Sequence, residues 1–304
     1  MRYLYILIFP LLLFANEALM PIPKKVVFEK EKGKLGKKLF FDTTLSKDNS
    51  VACVSCHNIF NGGADPRAVS TGFEGRKGNI QSPTVLNAVF NFRQFWNGRA
   101  NDLKEQAAGP LNNPVEHNMT PQLVVTRVKN NPEYVRSFKK LYKDGVTYEN
   151  ILDAIVEFEK ALVTPDSKFD KFLRHEVELT PSEARGYTLF KQYGCISCHN
   201  GINMGGNSFA KIGMFEPYPS KKRYPDRFEI THDKIDINVF KVPTLRNIAL
   251  TAPYFHDASQ KTLENAIQAM AYYNLGLEFE TKDLEDIANF LKTLTGVLPE
   301  IAYE

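Results

Sequence analysis

All four cysteines of this 304-residue chain fall in two copies of one five-residue pattern, Cys53-Val54-Ser55-Cys56-His57 and Cys195-Ile196-Ser197-Cys198-His199. In CxxCH each thiol can form a thioether to a vinyl group of a haem, and the adjacent histidine is carried under the ring to ligate the iron. A zinc site and a redox-active dithiol use the same CxxC spacing. Zinc would accept four thiolates from the two pairs, but it leaves a histidine after each pair unexplained. A thioredoxin-like motif is expected once, near a βαβ pattern that is absent here. The expectation is two covalently bound c-type haems, one on Cys53, Cys56 and His57 and one on Cys195, Cys198 and His199.

The N-terminus points the same way. Met1-Arg2 precedes an apolar run from Tyr3 to Phe14 and then small or polar residues around Ala15 and Ala18, the pattern of a secretory signal peptide over residues 1–18 with cleavage near Ala15 or Ala18. The run is shorter than the ~20 residues that span a bilayer and is interrupted by Pro10. Export to the periplasm follows, where four cysteines would ordinarily be read as two disulfides; their confinement to CxxCH overrides that reading. With 38 basic and 35 acidic residues and a formal charge of +3, the chain has no basic block of the kind that binds nucleic acid.

A length of 304 residues with 43% hydrophobic content suits two modest cores, and the halves repeat each other. Gly36-Lys37-Lys38-Leu39-Phe40 and Gly186-Tyr187-Thr188-Leu189-Phe190 share GxxLF before each CxxCH. Downstream, Pro83-Thr84-Val85-Leu86-Asn87 matches Pro243-Thr244-Leu245-Arg246-Asn247, Phe95-Trp96-Asn97 matches Phe255-His256-Asp257, and Leu103 faces Leu263 at the same offset. Periodicity predicts helices over Thr147 to Val163 and Thr281 to Thr295, and Thr180-Pro181-Ser182-Glu183 is a capping box opening a third. The predicted fold is mostly α: two cytochrome c-like haem domains related by internal duplication, with long glycine-rich loops after each haem motif. After the signal peptide, the boundaries are 19–165 for the N-terminal domain and 166–304 for the C-terminal domain.

These residues resemble the bacterial dihaem cytochrome c peroxidases over essentially the whole mature chain. The stretches that carry the resemblance are GKKLFFD (36 to 42), SPTVLNAVFN (82 to 91), QFWNGRANDL (94 to 103), LVTPDSKFDKFL (162 to 173), GINMGGN (201 to 207) and PYFHD (253 to 257). The resemblance implies an enzyme reducing hydrogen peroxide to water, with a peroxidatic N-terminal haem held by His57 and a C-terminal electron-entry haem held by His199. Glu116 matches the family's acid-base glutamate, a carboxylate suited to carrying a proton from one peroxide oxygen to the other. Gln106 matches a polar pocket residue, and Trp96 falls in the motif that bridges the haems. Among Met119, Met204, Met214 and Met270, the last matches the axial position, where a thioether raises the reduction potential. His256 is expected to hydrogen-bond near the inter-haem region, while His175 and His232 default to solvent.

One position departs from the family. Its distal histidine, which caps the oxidised peroxidatic iron, is replaced here by Phe73, which cannot ligate, so the expectation is an N-terminal haem open without reductive activation. Glu74 and His117 are the alternative ligands. The family's interdomain calcium would fall at Gln81, Thr251 and Pro253, glutamine keeping the amide oxygen of the usual asparagine. The implied electron donor is a small periplasmic protein, a monohaem cytochrome c or a cupredoxin, and calcium-dependent homodimers occur in the family. The rival readings are a MauG-like dihaem oxidase, opposed by Met270, and a non-enzymatic electron carrier.

Overall fold

The computed structural model describes residues 18–220 and 222–304. Apart from Ala18, the signal-peptide reading therefore lies outside the described residues. No helix among these is long and apolar enough to cross a membrane.

The first repeat contains five helices, α1 (Lys30–Phe40), α2 (Leu103–Asn112), α3 (Pro121–Lys129), α4 (Pro132–Leu141) and α5 (Tyr148–Ala161). The short α6 (Lys168–Leu173) leads into the second repeat, with α7 (Pro181–Gln192), the single turn α8 (Phe228–Thr231), α9 (Leu263–Met270) and α10 (Thr281–Lys292). Two three-residue strands, β1 (Phe209–Lys211) and β2 (Val239–Lys241), pair antiparallel with Ala210 opposite Phe240. The chain is mostly helical, as the periodicity predicts. The helix expected over Thr147 to Val163 is α5, started by the Thr147 hydroxyl accepting from Asn150 N–H. The Thr180 capping box opens α7, with both reciprocal hydrogen bonds made to Glu183.

The GxxLF motif has a packing cause. A Cβ on Gly36 would lie 1.8 Å from the Ala154 carbonyl oxygen, and one on Gly186 would lie 1.9 Å from that of Asp286. Glycine lets α1 cross α5, and α7 cross α10, with backbones in contact. The motif phenylalanines complete each crossing: Phe40 meets Phe158 and Phe190 meets Phe290, both at a centroid distance of 5.3 Å. Edge and tilted aromatic contacts of this kind add to the area buried. One helix pair is thus built twice from the same local solution.

The chain ends cross between the repeats. Leu19 packs in the second repeat's core with Phe169 and Phe290, and Ile22 N–H donates to the buried Asp170 carboxylate at 2.9 Å. Ile301 and Ala302 pack with Phe40 and Phe158 in the first. Asn87 and Asn247, equivalent in the repeats, both donate to the Thr164 hydroxyl at 2.8 Å, tying the connecting segment to both halves.

Candidate functional site

Each CxxCH enters a one-turn 3₁₀ helix, Cys53–Ser55 or Cys195–Ser197, and in each the histidine N–H donates to the first cysteine's carbonyl at 3.0 Å. That turn puts two thiols and an imidazole on the wall of one cavity. Cys53, Cys56 and His57 line the first, of about 410 Å³; Cys195, Cys198 and His199 line the second, of about 730 Å³. Both volumes are those of cofactor sites. Because the two cysteine pairs face separate cavities, one zinc ion cannot collect all four thiolates. Burial, then the nearby Glu159 carboxyl, pushes the Cys53 thiol up to about 12, so the free side chain is a thiol.

Both histidines are half-buried, and desolvation lowers their pKa, that of His199 to about 4. A neutral imidazole keeps a lone pair for iron. His57 Nδ1 sits 3.2 Å from the Gly63 carbonyl, which fixes the tautomer with Nε2 as the free ligand. His199 Nδ1 is buried without a well-formed hydrogen bond, facing the carbonyls of Met204 and Pro243. Paired free thiols, an oriented neutral imidazole and a cavity of predominantly apolar surface fit haem in both places.

The two walls differ in chemistry. Glu116, Gln106, Arg99, His117 and Glu159 line the first cavity. Burial raises the Glu116 pKa, opposed by a 2.6 Å hydrogen bond from Asn113 Nδ2 and by the nearby Arg99 guanidinium. Arg99 itself is held 3.4 Å from the centre of the Phe95 ring. His117 Nδ1 lies 2.9 Å from the Leu45 carbonyl. Glu159 is 4% exposed with Oε2 unpartnered, and burial pushes its carboxyl up to about 8. Among the described residues the second cavity has no carboxylate on its wall; it has Met270, at the end of α9, together with Met214, Lys211 and Lys241. Met119 and Met204 are instead core residues, which narrows the four methionines to two. A single π-helical turn, Ala271–Leu275, directly follows Met270, a distortion common at functional positions.

Trp96 lines both cavities, as do Gln81 and Phe95, so it belongs to the partition between them. Its indole N–H donates to the Gln81 carbonyl at 2.8 Å. The partition is cross-stitched: Gln81 N–H donates to the His256 carbonyl at 2.9 Å, and Lys241 N–H donates to the Trp96 carbonyl at 2.7 Å. His256 differs from expectation in its side chain. The ring stacks on Phe240 at 4.2 Å and meets Tyr224 edge-on, and among the described residues its hydrogen bond is through the backbone. Gln81, Thr251 and Pro253 all line the second cavity, and Gln81 Nε2 reaches toward the Asp65 carbonyl at 3.4 Å.

Phe73 is buried and lies outside the cavity lining, its ring between the Lys47 ammonium and the Arg76 guanidinium. Its N–H donates to the Glu116 carbonyl at 2.7 Å, so it braces the backbone of the acid rather than facing the cavity. Glu74 is exposed and paired to Arg76, away from the cavity, whereas His117 is on its wall. His175 and His232 are exposed, as expected. Sequence reasoning missed Arg99, Glu159 and Lys241. Arg99 lies within QFWNGRANDL, a signal that was available; the burial of the other two had none.

A helical duplication enclosing two cavities, each with a CxxCH turn and separated by an aromatic partition, defines a two-centre redox protein of the cytochrome c type. Residues 30–178 match the di-haem cytochrome c peroxidase family and residues 183–295 the cytochrome c family. The chain is 47% identical to cytochrome c551 peroxidase of Nitrosomonas europaea, over 94% of this chain and 86% of that protein. It is 42% identical to cytochrome c551 peroxidase of Pseudomonas aeruginosa, over 95% of this chain and 87% of the other. Among solved structures, a MauG-like protein associated with microbial copper homeostasis superposes with a TM-score of 0.81 at 28% identity, covering 91% of this chain and 93% of that one. The chain belongs to the bacterial dihaem cytochrome c peroxidase family, an enzyme family of haem oxidoreductases.

Proposed function

We propose that this protein reduces hydrogen peroxide to water in the first cavity, with electrons that enter at the second from a small redox protein. The observation that carries the reading is the asymmetry of the walls: an acid with a raised pKa and a polar amide in one, a thioether and no acid in the other. Haem in these cavities supplies electron transfer and the Lewis-acid centre that oxygen–oxygen cleavage needs. The chain's residues supply the rest. Cys53 and Cys56, and Cys195 and Cys198, would anchor the two groups by thioethers; His57 and His199 would each ligate an iron, and Met270 would be a second ligand for the second group. Glu116, ionised, takes a proton from one peroxide oxygen and returns it to the other. Its raised pKa shortens the gap between its acid and base forms near neutral pH. Gln106 orients the bound oxygens by hydrogen bonding, and Trp96 in the partition assists electron passage.

Gln81, Thr251 and Pro253 are the proposed calcium ligands; all three line the second cavity, and Gln81 also lines the first. With Phe73 outside the cavity, the first site stays open in the fully oxidised protein; a six-coordinate low-spin first haem in the oxidised spectrum would sink this, with His117 as the ligand to suspect. The proposed setting is the periplasm, the proposed donor a monohaem cytochrome c or a cupredoxin, and the proposed assembly a calcium-dependent homodimer.

Steady-state peroxide consumption with a reduced small cytochrome tests the reading. Glu116→Gln is expected to lose about 100-fold or more, the scale of general acid–base catalysis. Turnover equal to wild type in that variant would remove Glu116 from the mechanism. Turnover absent from both proteins, with two haems loaded, would favour a MauG-like oxidase or an electron carrier.

A further inference from the structure

Lys241 is the last residue of β2, two residues before the Pro243 of the second repeat, and it occupies the position that Gln81 occupies before Pro83 in the first. The partition bonds confirm the equivalence, since the N–H of each is bonded to the carbonyl of the other repeat's aromatic, His256 or Trp96. Gln81 is a neutral amide. Lys241 is a cation with 6% of its surface exposed, on the wall of the second cavity.

Nothing in the described protein answers that charge. Among the described residues its ammonium has no ion pair and no hydrogen bond, no carboxylate lies on the wall of that cavity, and burial alone pushes its pKa down to about 8. The acids beside His256 face other groups: Asp257 accepts from Tyr218, and the buried Asp226 accepts from Asn238 N–H through one oxygen while the other, without a hydrogen bond, lies 3.9 Å from Arg223. The other cation on the wall, Lys211, is exposed to solvent. An unpaired buried ammonium is costly and persists where an anion completes it. Haem brings two carboxylates.

We infer that Lys241 is the built-in countercharge for a propionate carboxylate of the second haem, and that this charge, absent at Gln81, adds to the second haem's reduction potential. The sign follows from electrostatics. Reduction makes the centre less positive, and an ammonium paired to its carboxylate favours that change. The two equivalent partition positions thus differ by one charge at the cofactor's edge. Lys241 is here a positioning and tuning residue; it touches the cofactor's periphery and takes no part in proton transfer.

The inference rests on the reading of the second cavity as a haem site, and the test separates the two. Holoprotein carrying Lys241→Gln, which installs the residue the first repeat already accommodates, is compared with wild type and Lys241→Arg in a spectropotentiometric titration at saturating calcium. The expected result is two haems per chain in all three, with the second-haem step in Lys241→Gln lowered about tenfold in its equilibrium constant, ~59 mV for one electron. The first-haem step should move much less, and Lys241→Arg should stay close to wild type. A second-haem step at the wild-type position in Lys241→Gln overturns the inference. So do equal shifts of both steps, which are the signature of a distant charge. Fewer than two haems in the wild-type chain would instead overturn the reading of the cavity. Should Lys241→Gln load poorly, Lys241→Met is the second variant, with the same expected shift and the same overturning result.

Discussion

The two repeats share a scaffold and differ at a handful of wall positions. The shared part is the helix crossing: Gly36 on Ala154 and Phe40 on Phe158 in the first, Gly186 on Asp286 and Phe190 on Phe290 in the second. The spacing that pairs Leu103 with Leu263 also sets Gln106 against Ala266 and Pro110 against Met270, and all four line their own cavities. The crossing pairs Phe158 with Phe290 and so sets Glu159 against Leu291, again both on the walls. With Gln81 against Lys241, the first cavity has a carboxyl and amides where the second has aliphatic carbon, a thioether and a cation. A duplicated packing solution was kept, and chemistry diverged through side chains other than the glycines and phenylalanines of the crossing.

If that division is right, wall and crossing substitutions fail differently. The largest effect is expected from the wall. Glu116 must be ionised to act as a base, so peroxide turnover should fall as pH drops through its raised pKa, with the limb lying above the ordinary glutamate value of 4.5. Glu116→Gln should lose both ~100-fold of rate and this acid limb in a pH–rate profile. A limb that survives the substitution would assign it to another group.

Glu159→Leu transplants the second repeat's residue into the first. The folded-state pKa of this carboxyl is raised to about 8 from 4.5. Between those values the folded protein holds a proton that the unfolded chain releases, so Glu159 costs stability as pH rises, at up to ~1.4 kcal/mol per pH unit. Denaturant titrations at pH 5 and pH 8 should show the variant gaining on wild type at the higher pH. Equal stability differences at both would mean that the carboxyl is paired in the loaded protein.

At the crossings the two repeats should respond alike. Gly36→Ala and Gly186→Ala each push a methyl into a carbonyl below 2 Å, and each is expected to destabilise by about 1–3 kcal/mol or more, read from denaturant midpoints. A loss at one site only would break the equivalence. The smallest effect is expected at the partition, where Trp96→Phe removes the hydrogen bond to Gln81, worth about 1 kcal/mol. Stability should change little while the rate of electron passage between the centres falls; an unchanged rate in stopped-flow reduction would leave Trp96 a packing residue.

Much of the scaffold was legible because its signals are local. Thr180 caps the helix it is expected to cap, the helix expected from Thr147 begins there, and the repeated GxxLF marks both crossings. Helices α3 and α4 carry equally plain local signals in Thr120-Pro121 and Asn131-Pro132. The cofactor turns could be read from four cysteines. The partition could not, because the bonds from Gln81 to His256 and from Lys241 to Trp96 join residues far apart in the chain. Nor could the burial of Glu159 and Lys241, since charged residues default to the surface and only tertiary packing removes them from it. The seating of Phe73 depended on a cation on either side, one of them from a distant segment.

The crossed segments have a consequence for the order in which this protein folds. Leu19 packs against Phe290 of α10, while the first repeat's core receives Ile301 and Ala302. Neither core closes on its own repeat alone, so the two halves are expected to complete together and late, whichever helix pair forms first.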